Sequence, residues 1–195
     1  MEKQKVVAFD FDGTLTSCDT LLAFIRYAKG TRKMFLGFLR YSFLLVMMKV
    51  GVYPNWKVKQ KVFSYFFKGM TLEQFDALCQ CFAREHKHLL RKEALSVMER
   101  AHLTGAKILV VSASIDNWVA PFFSDVMVLG TKIEVLDGRL TGRFLTKNCY
   151  GQEKVNRIKS EFPRREEYKL IAYGDSRGDK EMLEYADEGH YKPFR

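Results

Sequence analysis

Apolar positions follow two different periods along this chain, and the change of period divides it. Val6, Val7, Ala8 and Phe9 form an unbroken apolar run that leads into Asp10, Phe11, Asp12 and Gly13. Such a run, entered from a polar amino terminus, predicts a strand buried on both faces of a parallel sheet, with a loop at its carboxyl end. Between residues 19 and 103 the spacing is helical instead. Helices are predicted over 19–28, capped by Asp19 or Thr20 and stopped by Gly30, and over 56–67 after the Tyr53-Pro54-Asn55 break. Further helices are predicted from residue 72 to about 86, behind a Thr71 and Gln74 capping box, and over 93–103 before Gly105.

From Lys107 onward strands return. Short apolar runs predict strands at 108–111, 126–129, 132–136 and 169–173, and Asp137-Gly138 predicts a hairpin turn into a strand at 139–144. Helices are predicted at 154–162, ended by Pro163, and at 179–185. The order is strand, helices, then strands alternating with helices. It predicts an α/β fold with a Rossmann-like parallel sheet and a helical insertion after the first strand.

Reactive groups sit where such a sheet would present them. Ligands of open α/β sheets bind outside the carboxyl ends of the strands, which is where Asp10 and Asp12 fall. A plain Asp-Gly turn is the competing reading for these two residues. Three more strand or helix ends carry candidate chemistry: Ser112 after the apolar run 108–111, Lys154 opening a helix after Gly151-Gln152-Glu153, and the sequence Gly174-Asp175-Ser176-Arg177-Gly178-Asp179 after another strand. Taken singly, Lys154 reads as a solvated helix lysine and Asp179 as an N-cap.

Taken in order, these four stretches resemble the motifs of the haloacid dehalogenase superfamily of phosphohydrolases, and they span residues 6–183. The resemblance implies a catalytic core at 1–15 and 103–195 and a helical cap at 16–102. It also implies magnesium-dependent hydrolysis of a phosphomonoester through an aspartyl-phosphate. Asp10 would be the nucleophile and Asp12 the general acid and base, while Ser112 and Lys154 would bind the phosphoryl oxygens. Magnesium would be held by Asp10, Asp175 and the Asp12 carbonyl, with Asp179 behind them. A hard cation with oxygen ligands suits carboxylates placed beside a phosphate.

Within the superfamily the chain resembles the branch that contains phosphoserine phosphatases and phosphatidylglycerophosphatase C-type enzymes. Asp19 stands where the phosphoserine phosphatases have a substrate-binding glutamate, nine residues after the nucleophile. Gly-Asp-Ser-Arg-Gly-Asp departs from their Gly-Asp-Gly-x-Asn-Asp, and the insertion offers no counterpart of their carboxylate-binding arginine. The comparison favours a lipid phosphate such as phosphatidylglycerophosphate over a small soluble metabolite such as phosphoserine. A catalytically weak protein that keeps the fold for membrane or partner binding is the alternative from another class.

Composition adds a location. The 195 residues are 47% apolar and carry a net charge of +9, and between residues 16 and 68 ten basic residues face the single acid Asp19. That stretch holds the whole excess, so its partner is expected to be anionic. Its 34–52 segment is apolar around most of a helix but contains Arg40 and Lys49. One membrane crossing there would put Asp10 and Ser112 on opposite sides of the bilayer. The segment is therefore expected to be a buried cap helix, a dimer contact, or an in-plane or re-entrant membrane element, with the basic residues favouring the membrane. No nucleic-acid motif accompanies the basic stretch, so no nucleic-acid partner is expected. Four cysteines without framework spacing, and an amino terminus without a signal-peptide pattern, predict a cytoplasmic protein, peripheral at the inner membrane face if the cap binds lipid. The oligomeric state is left open.

Overall fold

The computed structural model describes residues 3–194. Its centre is β1 (Gln4–Phe9), flanked by β2 (Lys107–Ile115) and β6 (Tyr168–Gly174), with β3 (Met127–Thr131) and β7 (Glu188–Tyr191) outside them. All pairings in this five-stranded sheet are parallel, in the order β3-β2-β1-β6-β7. The strand alternation sends Val6 and Ala8 to one face with Leu109, Val111, Leu170 and Ala172, and Val7 and Phe9 to the other with Ile108, Val110 and Ile171. Both faces are dry, which is why β1 reads as an unbroken apolar run.

Six helices lie between β1 and β2: α1 (Thr20–Lys29), α2 (Thr31–Arg40), α3 (Ser42–Lys49), α4 (Asn55–Phe67), α5 (Leu72–Glu85) and α6 (Lys92–Leu103). The Thr71 capping box forms: its hydroxyl accepts from the Gln74 N–H, and the Gln74 side chain accepts from the Thr71 N–H. After β2 come the short α7 (Asp116–Val119), the antiparallel hairpin β4 (Ile133–Leu136) and β5 (Arg139–Phe144), α8 (Gln152–Glu161) and α9 (Lys180–Tyr185). Asp137 and Gly138 both take positive φ in the hairpin turn, as a primed turn needs. The hairpin packs on α4, where the Phe144 N–H donates to the Gln60 side chain.

An aromatic cluster ties the insertion to the sheet. Phe24 of α1 packs within 6 Å of Phe67, Phe75, Phe82 and Trp118, whose ring comes from α7 beyond β2. The α/β class and the parallel sheet agree with the expectation. Several details differ. The 34–52 segment is two helices broken at Tyr41, because bending there lets both α2 and α3 pack on α4. Gly37 permits the contact, since a Cβ there would collide with the Phe66 ring. No helix among the described residues is long and apolar enough to cross a membrane. α5, by contrast, ends at Glu85 as the spacing predicts, and the His86 and His88 ring centres beyond it lie 5.4 Å apart.

Candidate active site

The carboxyl ends of β1, β2 and β6 converge, and the charged side chains there are buried. Asp10 is the first residue after β1, and its N–H donates to the Tyr173 carbonyl of β6. The chain then turns through residues 11–15 at Gly13, whose φ is +83. A Cβ at Gly13 would lie 2.6 Å from an Asp175 oxygen, so glycine is needed both for the turn and for the approach of β6.

Lys154, in the first turn of α8, is 1% exposed, and its ammonium group donates to Asp10 Oδ1 at 2.5 Å, to Asp179 Oδ1 at 2.5 Å and to the Val111 carbonyl at 2.7 Å. All three of its N–H donors are used. Burial alone would lower the Lys154 pKa, but Asp10 and Asp179 overcome it and hold the amine above its usual value, firmly protonated. Burial pushes Asp10 up to about 7 against the pull of Lys154, with Asp179 and Asp12 adding repulsion. For Asp179 burial is outweighed by Lys154 and by the donors of Ser176, so its carboxyl lies below the usual range.

Asp179 is a hub rather than a simple helix cap. Its Oδ2 accepts from the N–H groups of Asp175 and Ser176 and from the Ser176 hydroxyl, fixing the loop after β6. Asp175 accepts from the Thr14 hydroxyl at 3.3 Å. Ligand oxygens of Asp10, Asp175 and Asp179 lie within 4.8 Å of one another, forming a buried all-oxygen cluster. That donor set suits a hard divalent cation.

The Asp12 side chain is turned the other way. Its Oδ1 accepts from the Thr20 N–H at 2.7 Å and the Thr20 hydroxyl at 2.6 Å, and its Oδ2 accepts from the Ser114 hydroxyl at 2.5 Å. Ser112 lies inside β2, 1% exposed, and its hydroxyl accepts from the Ser114 N–H. The β2–β3 register shifts between Val111 and Ile115, so the strand bulges where its serines reach the site. Asp19, expected to bind substrate, caps α1 by accepting from the N–H groups of Leu21 and Leu22. Burial and the nearby Asp12 raise its pKa, while Lys59 from α4 works against them.

The structure thus gathers Asp10, Asp12, Ser112, Lys154, Asp175 and Asp179 at one end of the sheet. Thr14, Thr20, Ser114 and Ser176, which hold the carboxylates, were not foreseen. Ser114 carried a signal, since a residue two after Ser112 on a strand shares its face.

Residues 7–184 match the family model of the haloacid dehalogenase-like hydrolases. Protein CicA of Caulobacter vibrioides is 38% identical over 196 aligned residues, covering 97% of this chain and 86% of that protein. A protein of unknown function from Bordetella pertussis Tohama I has a similar fold, with a TM-score of 0.82 at 20% identity, over 94% of this chain and 87% of that one. A substrate-bound phosphoserine phosphatase superposes with a TM-score of 0.62 at 20% identity, over 95% of this chain and 84% of that one.

Proposed function

The chain belongs to the haloacid dehalogenase-like hydrolase family, and we propose that it is a magnesium-dependent phosphomonoester hydrolase with Asp10 as nucleophile. The observation that carries this reading is the placement of Asp10 at the end of β1, bonded to the buried Lys154 and grouped with Asp175 and Asp179. A carboxylate oxygen of Asp10 attacks phosphorus, the bond from phosphorus to the leaving oxygen breaks, and an aspartyl-phosphate forms. Lys154 and the Ser112 hydroxyl offset charge on the phosphoryl oxygens.

Asp12 protonates the leaving oxygen, then takes a proton from the water that cleaves the aspartyl-phosphate and releases inorganic phosphate. Its environment suits both tasks. The Ser114 hydroxyl can donate to Oδ2 when Asp12 is charged and accept from it when Asp12 carries a proton. The Thr20 bonds hold the other oxygen throughout. Asp10 and Asp175, with the Asp12 carbonyl, would hold the magnesium ion, and Asp179 would orient them. When bound, the ion supplies positive charge that lets an anionic phosphate approach these carboxylates.

For the substrate we propose a lipid phosphate such as phosphatidylglycerophosphate. The fourth motif, Gly174 to Asp179, differs from the phosphoserine phosphatase pattern, and Asp19 is engaged in capping α1. Hydrolysis of para-nitrophenyl phosphate with magnesium tests the reaction, and no turnover would refute it. Rates on dispersed phosphatidylglycerophosphate and on phosphoserine, measured side by side, test the substrate. Faster release from phosphoserine would refute the lipid assignment.

A further inference from the structure

α2 and α3 carry two apolar stripes, and only one is covered. Met34, Phe38, Tyr41, Leu44, Leu45 and Met48 recur at helical spacing and pack toward the core through α4. On the opposite side Phe35, Leu36, Leu39, Phe43, Val46 and Val50 are each between 58% and 71% exposed. Exposed apolar side chains scattered singly need no account, but six within sixteen residues, aligned along one side, form a patch of the kind that marks a contact surface.

The charge around the patch says what covers it. At 100° per residue Lys33 and Arg40 fall along one edge of the α2 stripe, Arg32 falls within its first turn, and Lys49 borders the stripe of α3. None of these four forms an ion pair among the described residues. A second copy of the chain would bring two such basic patches together, and between residues 16 and 68 each copy has only Asp19 to offset ten cations. Like charge therefore disfavours self-association through this face. Nucleic acid would meet the cations but leave the aliphatic side chains without partners.

We propose that the outer face of α2 and α3 docks on an anionic lipid bilayer, lying in the membrane plane. Phe35, Leu36, Leu39, Phe43, Val46 and Val50 enter the boundary between headgroups and acyl chains, while Arg32, Lys33, Arg40 and Lys49 stay at the level of the lipid phosphates. The break at Tyr41 divides the element into two short helices, neither able to span. This docking does not rest on the proposed hydrolysis, so the two can fail separately.

Sedimentation of the full chain with vesicles of pure phosphatidylglycerol or pure phosphatidylcholine tests it. The expected result is salt-sensitive binding to phosphatidylglycerol, at least about tenfold weaker on phosphatidylcholine. Arg32→Glu, Lys33→Glu and Arg40→Glu together should lower the partition coefficient by at least about a hundredfold. Leu39→Asp with Phe43→Asp should abolish binding, and both variants should retain turnover of soluble para-nitrophenyl phosphate. Absence of binding at low salt, or binding unchanged in either variant, would overturn the proposal. So would a dimer in sedimentation velocity that Phe43→Asp splits while vesicles go unbound, since the face would then join two copies.

Discussion

Ser114 donates its hydroxyl to Oδ2 of Asp12 at 2.5 Å, joining residues 102 positions apart. With Thr20 on Oδ1, that bond fixes the Asp12 carboxylate in one orientation. Ser114→Ala should lower kcat by about ten- to a hundredfold, because a general acid and base acts only when correctly aimed. Magnesium affinity should be unchanged, since the Ser114 hydroxyl holds the Asp12 carboxylate, which is not one of the clustered oxygens of Asp10, Asp175 and Asp179. A weakened magnesium dependence in steady-state assays would contradict this positioning role.

Lys154 lies between Asp10 and Asp179 with all three N–H donors used. Lys154→Met removes the cation that two buried carboxylates share and should destabilise the metal-free protein by about 3–5 kcal/mol. Asp179→Asn added to it should recover part of the loss by removing one unpaired charge. Denaturant unfolding of the single and double variants without magnesium checks both, and a loss under about 1 kcal/mol in the single variant would contradict the buried pairing.

Gly13 has φ +83 and faces the Asp175 carboxylate. Gly13→Ala should lower stability by about 1–2 kcal/mol from backbone conformation alone. It should also weaken magnesium binding, because the new Cβ must displace Asp175. Isothermal titration with magnesium checks this; wild-type affinity in the variant would show that the loop adjusts without moving Asp175.

Chelation should stop turnover, and added magnesium should restore it. Asp175→Ala should need much more magnesium for half-maximal rate, while Thr20→Val, which alters only the hold on Asp12, should leave that requirement unchanged. A titration of rate against magnesium separates the two variants.

These relationships were legible in the sequence to different depths. β1 was readable because both faces of the central strand are dry, so its apolar run has no polar interruption. Lys154 alone looks like a surface lysine; only its order among the other motifs pointed inward. β7 was missed because Glu188, Gly189, His190 and Tyr191 are all exposed at the sheet edge and carry no strand pattern. The 34–52 segment was ambiguous for the reverse reason. It is apolar on both sides, so periodicity could not say which side would be covered, and only the packing on α4 distinguishes them. Thr20 was legible only as a candidate helix cap, because its bond to Asp12 depends on how α1 starts after the loop.

Covalent capture of the phosphoryl group on Asp10 tests the central claim most directly. The Asp12→Asn variant, mixed with para-nitrophenyl phosphate and magnesium, should form the aspartyl-phosphate, because that leaving oxygen departs without a proton, but should resolve it slowly, because the proposed activator of water is missing. Intact mass spectrometry after a rapid quench should show a gain of about 80 Da, and peptide mapping should place it on Asp10. The gain should be absent from Asp10→Asn, which should also lose hydrolysis while unfolding cooperatively. A phosphoryl group found on another residue, or turnover by Asp10→Asn within about tenfold of the unaltered chain, would contradict nucleophilic catalysis by Asp10.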